Sequence, residues 1–165
     1  MPIPSKPQPP NRARTSEGAV RATGAADAEA TAAVGPADGH AAAVDAWTAG
    51  RVAGTGNERV LQTFETAFAV VWRRANQTLG DITLTAITER VLYHSAALHP
   101  LLVGVHVDAS GLRTDDLRTR VAAVPRAELV AAVRFVLVEL LTVVGDLTGE
   151  ILSAALHDEL SKVSP

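Results

Sequence analysis

The first 56 residues of this 165-residue chain contain no leucine, a single isoleucine (Ile3) and a single aromatic, Trp47. They are built instead from Ala, Pro, Gly and Thr. Fixing a residue's backbone costs about 1–2 kcal/mol, and a segment so short of large apolar side chains has little burial to offset that cost. Residues 60–163, by contrast, are dense in Leu, Val, Ile and Ala. The core must be built there. The expectation is a disordered Ala/Pro/Gly-rich tail over 1–54 and one helical domain over 55–165, of ordinary domain size.

The charges divide in the same place. Residues 1–54 carry five basic and five acidic side chains, residues 55–165 ten and thirteen, for a net charge of -3. An acidic domain argues against nucleic acid as a partner, since phosphate binding calls for a basic face. There is no cysteine, which excludes disulfides, thiolate catalysis and Cys-based zinc sites. Lys6, Arg12 and Arg14 are followed by no apolar run of the kind a secretory signal has. The most apolar stretch, Leu129 to Val144, is interrupted by Arg134 and Glu139 and is shorter than the roughly 20 residues of a bilayer span. A cytoplasmic protein with no membrane contact is expected.

Periodicity places the helices. Thr55-Gly-Asn-Glu58 fits a capping box, and Val60, Leu61, Phe64, Ala67, Phe68, Val71, Trp72, Ala75 and Leu79 then recur at helical spacing up to Gly80, a natural stop. Asp81 is the expected cap of a second helix, whose inward face is Leu84, Ile87, Val91, Leu92, Ser95 and Leu98 and which ends at His99, before Pro100. Leu101 to Asp108 alternates like a strand, Ala109-Ser-Gly111 reads as a turn, and the pair is expected to be extended coil or a small hairpin. Thr114 is the expected cap of a short helix carrying Asp115 and Asp116 in its first turn. Pro125 opens the last helix, apolar nearly all round to Val144 and therefore central. Unbroken to Val163, its 38 residues would run about 57 Å, too long for a domain of this size. It must kink at Gly145–Gly149 or protrude to meet a partner. The fold class is all-α or nearly so: a bundle of four to five helices with one short extended segment.

The search for chemistry returns mostly exclusions. No nucleophile elbow, phosphate-binding loop, dinucleotide fingerprint or Glu-x-x-His pair is present. His94 and His99 lie five apart, off the spacing of helical metal pairs, and His99, His106 and Asp108 match no recognised ligand pattern. No catalytic residue, metal site or cofactor is assigned. Arg113, Arg118, Arg120 and Arg126 gather around the short helix, the arrangement a helix-turn-helix regulator would need, diluted by Asp115 and Asp116. Leu156-His-Asp-Glu-Leu160 resembles, over those few residues, the phosphoacceptor box of sensor histidine kinases, which would imply phosphotransfer at His157; Ser161-Lys162-Val163 stands where Arg-x-Pro would come next. Pro2 to Pro10 resembles a polyproline docking peptide in composition.

Two sets of residues are candidates for function. Gly145-Asp-Leu-Thr-Gly149 has the small-xxx-small spacing that lets a second helix approach. Leu141, Gly145, Gly149 and Leu152 are the expected helix–helix or oligomer contact. Trp72, Tyr93, His94 and His106 are the candidate lining of a ligand pocket. The expected function is a non-enzymatic regulatory, sensory or adaptor module of bacterial signalling type, acting through contacts with itself or another protein. The alternatives are a bundle binding a small ligand or haem and, behind it, a helix-turn-helix-like transcription regulator.

Overall fold

A computed structural model describes residues 35–108 and 111–163. Among them are six α-helices and one two-stranded sheet. The first helix, α1 (Pro36–Arg51), falls inside the segment expected to be tail. Pro36 sits in its first turn, where a missing N–H costs nothing, and Asp38 accepts the Gly35 N–H at 3.3 Å. Its stripe is only His40, Val44 and Trp47, spaced four and three, and all three are buried. The described residues thus include a helix before Thr55: three well-placed side chains mark its inner face, and the small Ala and Gly residues among the rest let it approach closely. The remainder of the expected tail, including the Pro-rich stretch, lies outside the described residues.

Helix α2 (Asn57–Leu79) starts from Gly56, without the Thr55 capping box. Thr55 Oγ1 turns back to the Val52 carbonyl at 2.9 Å, and Asn57 spends its amide on the carbonyls of Val121 and Val124 at 2.9 and 2.7 Å. Gly80, with φ +77°, both stops α2 and precedes α3 (Asp81–Leu98). Asp81 is therefore the first residue of α3 rather than its cap, and its carboxylate accepts from Asn76 at 2.6 Å.

The expected strand forms only at its far end. Pro100–Leu102 is a 3-10 turn that buries both Leu101 and Leu102, which an alternating strand would have pointed to opposite sides. Beyond the turn lies a small hairpin, β1 (His106–Asp108) with β2 (Gly111–Arg113), antiparallel, pairing Val107 with Leu112. Thr114 does sit at the cap position of α4 (Asp115–Arg120), yet its hydroxyl bonds the Glu65 carboxylate instead of the helix end.

Pro125 stands just before α5 (Arg126–Thr148), at its cap rather than at the first helical position. The helix then stops at Gly149 in the left-handed conformation, with the Glu150 N–H closing back on the Gly145 carbonyl at 2.8 Å. The chain turns into α6 (Ser153–Lys162), which packs against α1 and α2. The long helix is thus broken and folded back. Helix α5 is the spine: α1, α2, α3 and α6 all pack on it, and Leu129, Val133, Val136, Leu137, Leu140 and Val144 are essentially inaccessible. No helix among the described residues is long and apolar enough to cross a membrane.

Candidate functional site

The four expected pocket residues do not converge. Trp72 is half-buried, stacked on Phe68 with ring centroids 5.9 Å apart, on the α2–hairpin side. Tyr93 stands 83% exposed on α3 as a ridge between two grooves. His106 lines the groove of about 520 Å³ on one side, donating from Nδ1 to the Gly104 carbonyl at 3.0 Å. His94 lines the groove of about 880 Å³ on the other, 3.2 Å from Glu139.

The small-xxx-small segment is occupied from within. Leu141, Gly145 and Leu152 are buried against the chain's own helices, and exposed Gly149 serves as the stop of α5. The close approach that Gly145 permits is to the His40 ring of α1 and the Glu150 carboxylate. The four basic residues around α4 are likewise engaged. Arg118 forks onto Glu65 at 2.5 Å, and Arg120 bonds the carbonyls of Leu101 and Val103 at 3.0 and 2.5 Å. Arg126 bonds those of Thr55 and Val52, and Arg113 pairs with Asp115 at 3.0 Å. Arg120 and Arg126 tie loops together through backbone carbonyls, while Arg113 and Arg118 stay about half exposed beside their carboxylate partners.

A polar cluster joins residues that are remote in the sequence and that periodicity does not single out. His40, 1% exposed, meets His157 of α6 through Nδ1 and Nε2 at 2.8 Å, and its Nε2 lies 3.4 Å from the Glu150 carboxylate, too poorly aligned for a hydrogen bond. Ser153 donates to the same carboxylate. Glu150 holds φ +64°, a left-handed conformation that costs a residue with a side chain about 1 kcal/mol or more. Burial, and then the neighbouring His40, push the His157 imidazole below its usual pKa, with Glu150 opposing. At neutral pH this keeps His157 uncharged, so the histidine pair shares a hydrogen bond instead of repelling. The Nε2 atom of His157 is the one turned to His40. The cluster joins α1 to α6 across the end of α5, and its inner member has no solvent access. Among the described residues no group of three or more His, Cys, Asp or Glu side chains is placed to hold a metal ion.

The outer face of α3 is a second feature that periodicity does not single out. Ile82, Ala86, Glu89, Arg90, Tyr93 and Ala97 are all exposed, and they recur at helical spacing. Ile82 is 89% exposed, and Leu147, 60% exposed, lines the larger groove beside them. Comparison with protein-family models, curated proteins and solved structures finds no match to this chain.

Proposed function

We propose that this domain is a non-enzymatic regulatory or adaptor module that works through protein–protein contacts, and that the outer face of α3 makes them. The observation that carries the reading is the exposure of Tyr93 and Ile82 on one face of a helix whose other face is fully packed. Tyrosine is the kind of side chain that anchors contacts, offering large area at low entropy cost. The grooves beside it have the shape for side chains of a partner rather than an enclosed site for a cofactor. A haem or small-ligand bundle draws little support: Tyr93 borders one open groove with His106 and another with His94, and Trp72 borders neither. The regulator reading draws less support, since Arg113, Arg118, Arg120 and Arg126 each already bond a carboxylate or carbonyl of the chain.

The test is photo-crosslinking from a benzoyl-phenylalanine placed at Tyr93 and, as control, at exposed Thr119 of α4, in the full chain produced in its native cells. Specific protein adducts from position 93 and none from 119 are expected. Equal or absent crosslinking at the two positions contradicts the reading.

A further inference from the structure

We infer that the meeting of α1 with α6 is a proton-sensitive latch: the uncharged His40–His157 pair holds α1 down on the bundle, and proton uptake below about pH 6.5 loosens it. The number of protons the contact can hold follows from its geometry. His40 Nδ1 and His157 Nε2 are 2.8 Å apart, so a single proton fits between them. His40 Nε2 is buried, makes no hydrogen bond and lies 3.4 Å from the Glu150 carboxylate. A nitrogen lone pair aimed at that carboxylate is repelled, whereas an N–H is attracted. The favoured tautomers therefore have His157 Nε2 donating to His40 Nδ1, with the His40 Nε2 proton turned to Glu150. A further proton has two places to go. On His157 Nδ1 it charges a ring that burial, and then His40, hold below the usual pKa. On His40 Nδ1 it sets N–H against N–H across 2.8 Å.

The surroundings offer the extra charge little relief. Glu150, in the turn between α5 and α6, faces the pair and favours the charged ring, but its carboxylate is shared with Ser153. Helix α5 brings Gly145 to the contact, which has no side chain. Its Glu139 and Asp146 line the groove beside α3, and its Arg134 pairs with Asp45 of α1. That guanidinium holds the Asp45 carboxyl below its usual pKa, so this second α1 contact does not titrate near pH 6. On α6, Asp158, Glu159 and Lys162 line a groove with Arg73 and Arg74 of α2. On α1, Asp38 is exposed and accepts from Gly35, and Arg51 bonds the carbonyls of Val163 and Ser161 at the other end. Once α1 lifts, both imidazoles meet water and take up protons as free histidines do. Docking is therefore strongest above about pH 6.5, and each proton the docked pair refuses lowers the docking constant about tenfold per pH unit below that.

Hydrogen exchange of the full chain tests the latch, read by mass spectrometry on peptides from α1 and α5 and corrected for the intrinsic pH dependence of exchange. From pH 7 to 5.5 the opening constant of α1 should rise by more than about eightfold, the value for a single refused proton, while α5 stays protected. In His157→Gln, whose amide still donates toward His40 but does not titrate, the rise should be no more than that. Circular dichroism confirms that the variant keeps its helix content. An α1 protection that does not change, a rise undiminished in His157→Gln, or an equal rise in α5 overturns the latch. If His157→Gln does not fold, the unaltered chain decides by itself: below pH 6 its α1 opening constant must climb about tenfold or more per pH unit, and a shallower slope overturns the latch.

Discussion

A methyl group added at position 145 would sit 2.7 Å from a Glu150 carboxylate oxygen and 2.9 Å from His40 Nε2. Carboxylate tips swing aside easily; a buried imidazole wedged between helices does not. Alanine in place of a mid-helix glycine ordinarily gains about 1 kcal/mol. Here overpacking, typically about 1–3 kcal/mol, opposes and should exceed that gain. Gly145→Ala is therefore expected to destabilise the domain by about 1 kcal/mol in urea denaturation, and a variant more stable than the parent would show that His40 is not where it is described. The Gly-xxx-Gly spacing is visible in the sequence. What approaches it is not, because His40 and His157 are separated by 117 positions and neither carries a signal that names the other. The same holds for Thr55 and Thr114, whose cap-like spacing is overruled by other acceptors, the Val52 carbonyl and Glu65.

Among the elements, α2, α3 and α5 are legible by periodicity, because each lays a long apolar face on the others. Helix α1 is not, since its remaining residues are mostly small or polar and only His40, Val44 and Trp47 mark its inner side. Those spacings of four and three, together with Pro36 and Asp38 at its start, are the signal the sequence carries for it. The energy of docking α1 is concentrated in Trp47, 3% exposed, and Val44, fully buried. Arg51 adds bonds to the carbonyls of Val163 and Ser161 at 2.6 and 2.8 Å, tying α1 to the end of α6. The Asp45–Arg134 pair joins α1 to α5 as well, holding the Asp45 carboxyl below its usual pKa, but it is exposed and such pairs contribute about 0–1 kcal/mol. Trp47→Ala should accordingly cost about 3 kcal/mol in chemical denaturation. A loss below about 1 kcal/mol would mean that α1 is not part of the core. The hairpin is half legible for a related reason: Leu101 to Val107 alternates on paper, yet both leucines at its start are needed inward, and only a turn can supply that.

At the scale of the molecule, packing on α5 consumes the apolar surface of α1, α2 and α6 and leaves one face of α3 uncovered. Periodicity assigns α3 its inward face well for Leu84, Val91, Leu92 and Ser95, all buried, but takes Leu98 inward as well, and it is 55% exposed. The outward face is not legible because alanines interleave with Tyr93 and Ile82, and an alanine has no preferred side. Whether a face like this is a contact surface is decided by what it captures. The chain's lack of cysteine makes a direct test simple. Tyr93→Cys in the full chain places one thiol on the outer face of α3. A maleimide-coupled photo-crosslinker on Tyr93→Cys should join the chain covalently to a protein of its native cells, while the same reagent on Thr119→Cys, in α4, should join none. Absence of adducts from position 93, or equal yields at 93 and 119, would contradict a contact surface on α3.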